Sequence, residues 1–141
     1  MEAAAKTAIT ISTIVDAPIE KAWKKWTHPD EITHWNFASD DWCSPRAEND
    51  LRRGGRFNYR MEARDGSVGF DFWGVYEKVM VYKEIDYKMG DGRKAKVVFS
   101  PLKAKTKITE TFEAEETNPI ELQRNGWQAI LDNFKKYTEK H

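Results

Sequence analysis

Between residues 56 and 114 the chain alternates apolar and polar side chains in five successive runs, and no other feature constrains its fold as much. A period of two belongs to a strand with one face buried, because successive side chains of an extended backbone point to opposite sides. In RFNYRMEA, Phe57, Tyr59, Met61 and Ala63 share one face, and Asn58, Arg60 and Glu62 share the other. RDGS then supplies a turn. Closing that hairpin with Ala63 opposite Val68 sets Met61 against Phe70, Tyr59 against Phe72 and Arg60 against Asp71. Aromatic and apolar pairs meet on one face and opposite charges on the other, which is the pairing that stabilises a sheet. The runs Ile85, Tyr87, Met89, then Ala95, Val97, Phe99, then Ile108, Phe112, Ala114 follow, with GDGR and SPLKAK between them. The pattern predicts an antiparallel meander.

Ahead of the meander, Ile9, Ile11 and Val15 in the β-branched ITISTIV predict one more strand, ended by Asp16 and Ala17. Pro18 suits the first turn of a helix, and Ile19, Ala22, Trp23 and Trp26 fall on one face of IEKAWKKW. A second short helix is expected at Pro29–Trp35. From Asn36 to Gly54 and Gly55 the polar composition predicts a long connection, of a length that is usually functional or pinned by its own side chains. After the meander, Asn118 as cap, Pro119 as first residue and Glu121 in the first turn open a long helix. Its stripe of Trp127, Ile130, Leu131, Phe134 and Tyr137 needs a sheet face to cover it. Gly126 inside that helix costs about 1 kcal/mol against alanine, which predicts a close approach by another part of the structure. The expected fold is α+β: about six strands from residues 7–16 and 55–115 in one antiparallel sheet, two short helices after the first strand, and a helix over 119–138 packed on the sheet.

With 141 residues the chain is expected to form one domain, 1–141, around one core. Residues 1–6 contain EAAAK, the unit of designed helical linkers, and read as a disordered or tag-like N-terminus. Lys plus Arg and Asp plus Glu each number 23, so no excess of positive charge exists to drive counterion release, and no nucleic-acid partner is expected. MEAAAK lacks the features of a signal peptide, and no apolar run approaches the roughly 20 residues that span a bilayer, so no membrane insertion is expected. The lone Cys43 cannot form an intramolecular disulfide, which suits a reducing compartment and predicts a cytoplasmic location.

Four words of the sequence, DAPIEKAWKKWTHPDEITHWN, NDLRRGGRF, GFDFWGVYEKV and NPIELQRNGWQAILDNFKKY, occur in an order that resembles the START-like (SRPBCC) superfamily. Within it the chain is similar to the family related to the activator of the heat-shock protein ATPase, also labelled polyketide cyclase-like. The resemblance covers nearly the whole chain. It implies a helix-grip fold, in which a curved antiparallel sheet grips the C-terminal helix, with a cavity between them. It implies no particular reaction, since the superfamily includes lipid carriers, hormone receptors and cyclases. The co-chaperone of the family acts with a separate N-terminal domain, for which 141 residues leave no room. Trp73 departs from the pattern, standing on the hairpin face of Asn58, Arg60 and Asp71 where a small or polar residue is expected. Met80, Val81, Tyr82 and Leu102 similarly place apolar groups at turns. With EAAAK, these departures make an engineered variant of a natural member an alternative.

Several constellations carry residue types suited to chemistry. Cys43 with His34 has the residue types of a nucleophile and its base, but a lone cysteine is more often a small buried hydrophobe. His28 and His34 are six apart, against the three or four of a helical metal pair, so no metal and no cofactor are expected. Arg60 with Asp71 reads as a cross-strand ion pair on the solvated face, with Glu62 beside them. Glu110 alternates in phase with Ile108 and Phe112, facing the helix, where it should have a partner and could orient a guest. Among the six tryptophans, Trp23, Trp26 and Trp127 fit core stripes, while Trp35 and Trp42 flank the long connection at the expected mouth of the grip.

These observations converge first on a binding protein for a small apolar or lipid-like molecule. Its cavity is expected to be lined by Trp35, Trp42, Tyr59, Met61, Phe70, Phe72, Phe99, Glu110, Phe112, Trp127 and Leu131. A cyclase- or hydrolase-type enzyme using the same cavity is the second reading, with catalytic residues unassigned. The third is an interaction module, natural or engineered, in which Trp73, Met80, Val81, Tyr82 and Leu102 form an apolar patch for a protein partner or a second copy.

Overall fold

The computed structural model describes residues 7–141, so the tag-like N-terminus expected at 1–6 lies outside the described residues. In chain order the elements are β1 (Ala8–Val15), α1 (Ile19–Thr27), α2 (Pro29–Ile32), β2 (Trp42–Asn49), β3 (Arg56–Ala63), β4 (Gly69–Met80), β5 (Glu84–Met89), β6 (Lys94–Leu102), β7 (Lys105–Glu113) and α3 (Ile120–Lys140). One antiparallel sheet of seven strands, ordered β1-β7-β6-β5-β4-β3-β2, curls around α3. Strands β2 to β7 are successive neighbours. β1 instead crosses to pair with β7, with Ile9 opposite Phe112 and Ile11 opposite Glu110.

The seventh strand is β2, which lies inside the segment expected to be a connection. It pairs on one side only, with β3, and its register shifts between Cys43 and Arg46. An edge strand tolerates Pro45, which has no N–H to donate, and needs few apolar side chains, so neither composition nor alternation marks it.

The β3–β4 hairpin has the expected register, with Met61 opposite Phe70, Tyr59 opposite Phe72 and Arg60 opposite Asp71. The Ala63 N–H donates to the Val68 carbonyl at 3.0 Å, and Gly66 takes the left-handed conformation that the turn requires, at φ +78°. β4 then runs on to pair with β5. At the changeover Gly74 lies opposite both Phe57 and Met89, and a Cβ there would collide with the Phe57 ring and the Lys88 carbonyl.

α3 opens one residue later than expected. Pro119 is its N-cap residue, without a side-chain cap. Gln123 ties down the approach instead: its amide donates to the carbonyls of Asn118 at 2.8 Å and Glu115 at 3.1 Å, and accepts from the Glu115 N–H at 2.9 Å. Leu131 and Phe134 are completely buried against a core that includes Ile9, Val97, Phe99 and Ile108. Along its flank α3 covers the free edge of β1. Arg124, Gln128 and Lys135 donate to the carbonyls of Thr10, Ser12 and Ile14 at 3.1, 3.3 and 2.8 Å, which satisfies acceptors that an edge strand would leave open. Gly126 meets no close approach: a Cβ there would have nothing within 4 Å, contrary to expectation.

Candidate functional site

A cavity of about 290 Å³ lies between the sheet and α3. The inward positions of three strands build most of its wall, with Phe57, Tyr59 and Met61 from β3, Phe70, Phe72 and Tyr76 from β4, and Ile85 and Tyr87 from β5. α1 contributes Trp26, the segment after α2 contributes Trp35 and Asn36, and α3 contributes Trp127 and Ile130. Arg93, just before β6, and Glu110, on β7, complete it. Trp35 is fixed in place from both sides. Its indole N–H donates to the Lys25 carbonyl at 2.9 Å, and its own carbonyl accepts from Asn133 of α3 at 2.9 Å. Half-exposed Phe70 marks where the wall meets solvent.

Of the residues expected from the sequence, Trp35, Tyr59, Met61, Phe70, Phe72, Glu110 and Trp127 come together on this wall. Trp42, Phe99, Phe112 and Leu131 do not. Phe112 lies on the correct face but beneath Trp127, the two rings stacked 3.8 Å apart with planes 9° from parallel. Phe99 is buried behind the wall, edge-on to Trp23 at 5.1 Å and to Trp26 at 5.8 Å. Leu131 is core, and the Trp42 ring rests against Phe70 at 5.9 Å. Trp127, for its part, is only partly buried and belongs to the wall as well as to the stripe. Sequence reasoning missed Trp26, Asn36, Phe57, Tyr76, Ile85, Tyr87, Arg93 and Ile130. Alternation already set Phe57, Ile85 and Tyr87 on the inner face, so that signal was available. Tyr76 is in phase with Phe70 and Phe72 through Gly74, the register shift coming only after it, so the same signal reached it too.

The polar groups on the wall divide into those with partners and one without. Tyr59 donates to the hydroxyl of Tyr76, which donates to Asn49 at 2.5 Å, whose amide in turn donates to the Thr27 carbonyl at 2.7 Å. Burial holds Tyr59 and Tyr87 well above the ordinary phenol range and pushes Tyr76 up to about 12, so all three are neutral near pH 7. The Arg93 guanidinium is held by Asp91 at 2.7 Å and by the Glu113 carbonyl at 3.2 Å. Asn36 donates to the Met61 sulfur at 3.6 Å.

Glu110 is the exception. The expected partner is missing: among the described residues no hydrogen bond or ion pair reaches its carboxyl, and its cross-strand neighbours are Ile11 and Val97. It is 6% exposed, and burial alone pushes its pKa up to about 8. Near pH 7 the group is mostly the neutral acid, able to donate one hydrogen bond and to accept others, or to ionise against a positive charge brought to it.

The other candidates are not assembled into sites. Cys43 lies on β2 opposite Glu62 while His34 stacks on Tyr137 at 5.3 Å, and no hydrogen bond joins the two. Among the described residues no group of three or more His, Cys, Asp or Glu could hold a metal ion. Arg60 pairs with Glu62 at 2.8 Å and more loosely with Asp71 at 3.6 Å. Met80, Val81, Tyr82 and Leu102 are exposed on the β4–β5 and β6–β7 turns, at one end of the sheet. Trp73 does not join them. It lies toward the other end of β4, its ring packed on Gly90 and beneath the Arg56 guanidinium at 4.2 Å.

The family model described as "Activator of Hsp90 ATPase homolog 1-like protein" matches residues 16–139. Among solved structures, the AHSA1-like protein from Aeromonas hydrophila is 42% identical, with 95% of this chain and 93% of that chain covered and a TM-score of 0.90. Chr148 from Cytophaga hutchinsonii is 52% identical, with 94% and 92% covered and a TM-score of 0.81. A protein from Nitrosomonas europaea shares the fold at 17% identity, with 94% of each chain covered and a TM-score of 0.80. None of the curated proteins matches the chain. Among the described residues no helix is long and apolar enough to cross a membrane.

Proposed function

This chain belongs to the Activator of Hsp90 ATPase homolog 1-like family, and on that premise we propose that it is a binding protein whose cavity takes one small, largely apolar molecule. The supporting observation is the wall itself, made mostly of aromatic and aliphatic side chains with a few polar groups, the composition of a small-molecule site. Burial of the guest against Trp127, Phe57, Phe72 and Ile130 drives affinity, and the tyrosine relay and Glu110 orient it. The lone cysteine suits action in a reducing, cytoplasmic setting. An environment-sensitive apolar dye should bind the native protein one-to-one, and Ile130→Arg should weaken that binding at least tenfold while circular dichroism shows the fold retained. Ile130 is the better site for this charge than Phe112, which is buried in the core beneath Trp127. Dye binding that requires unfolding, or that survives Ile130→Arg unchanged, overturns the assignment.

A further inference from the structure

The unpartnered carboxyl narrows the class of guest, a step that rests on the cavity being a ligand site. We propose that the guest is an amine on an apolar body, whose ammonium group pairs with the Glu110 carboxylate and lies against the aromatic wall. Three observations converge on this. A carboxyl that faces only the cavity, with no protein partner, is poorly solvated, and a donor from the guest supplies the missing bond. The same wall carries the rings of Trp26, Trp35, Phe57, Tyr87 and Trp127, and an aromatic lining of this kind favours a cation over an anion. The other titratable groups on the wall do not compete. Tyr59 and Tyr76 are joined in their relay, Tyr87 is neutral, and Arg93 is held by Asp91 and the Glu113 carbonyl. Arg93 also has no part in setting the pKa of Glu110, which burial alone raises; β1 and β6 face Glu110 with apolar Ile11 and Val97, and Tyr87 of β5 couples to it electrostatically but stays neutral.

The proton balance is explicit. Near pH 7 the unliganded protein holds Glu110 mostly as the acid, so binding an ammonium releases that proton to solvent and leaves the ion pair inside. Neither partner is oxidised and no covalent bond to carbon changes.

Titration calorimetry of the full chain with adamantylamine, adamantanol and adamantanecarboxylate tests the proposal, the three probes sharing one apolar body. The amine should bind at least tenfold tighter than the alcohol, and the carboxylate most weakly. Close to one proton should be released per amine bound at pH 7, read from buffers of different ionisation enthalpy. Amine affinity should rise about tenfold per pH unit from pH 6 and level off near pH 8. Glu110→Gln should erase the preference while the alcohol still binds. Should that variant fail to fold, proton release and the pH profile of the unaltered protein decide the matter. Equal binding of amine and alcohol, or an amine preference that survives Glu110→Gln, overturns the amine assignment and leaves the cavity reading intact. If none of the three binds, the amine assignment falls, and the apolar dye titration shows whether the cavity reading falls with it.

Discussion

Glu110→Gln makes the burial of this carboxyl measurable without any ligand. In the unfolded chain the group titrates near the ordinary 4.5, and in the folded protein near about 8. Between those values the native state keeps a proton that the unfolded state has lost, so stability falls as pH rises. This is opposite in sign to a salt-bridged carboxylate. The penalty is absent below about pH 4.5 and grows by about 1.4 kcal/mol per unit, to about 3 kcal/mol at pH 7 and about 5 kcal/mol above pH 8. Glutamine has nearly the same shape and does not titrate. Its buried amide adds a constant offset, so the slope of the difference against pH is diagnostic and its intercept is not. Urea unfolding of both proteins, followed by tryptophan fluorescence at pH 5, 6, 7 and 8, gives that difference, and all other titrating groups cancel in it. The variant should gain on the wild type by about 1.4 kcal/mol per unit between pH 5 and 7. Parallel curves, within about 0.5 kcal/mol over the range, would refute the reasoning, because Glu110 would then be equally well solvated in both states.

Leu131→Ala should cost about 3 to 5 kcal/mol in denaturant unfolding, since the side chain is fully buried in the core. Trp127→Ala, in the same stripe but only partly buried, should cost less, about 2 kcal/mol, while removing most dye binding; a larger stability loss than Leu131→Ala would place its ring in the core. Gly126→Ala should raise stability by up to about 1 kcal/mol, because nothing lies within 4 Å of the new methyl group and the helix gains; any loss in thermal unfolding contradicts this. Trp73→Ser should cost about 1 to 2 kcal/mol through its lost packing on Gly90 and Arg56 and should leave dye affinity unchanged; a fall in affinity would connect Trp73 to the cavity.

What could be read from the sequence follows the range of the forces involved. The face of a strand residue and the facing stripe of a helix repeat every two or three to four residues, so Tyr59, Met61, Phe70 and Phe72 could be assigned to one surface and paired in register through a single tight turn. The α+β class and the long helix over the sheet followed from the same local periods. Depth and closure have no such local trace. β2 escaped notice because an edge strand buries little and pairs on one side, and the meeting of β1 with β7 depends on chain ends about 100 residues apart in sequence. Phe112 and Glu110 share a strand face, yet α3 lays Trp127 over the phenylalanine and leaves the carboxyl facing open volume. The sequence by itself therefore determined which side chains point inward. Only the tertiary structure decided which of them are covered by another element and which, like Glu110, face the cavity without a hydrogen-bond partner, because that depends on where a helix from the far end of the chain comes to rest.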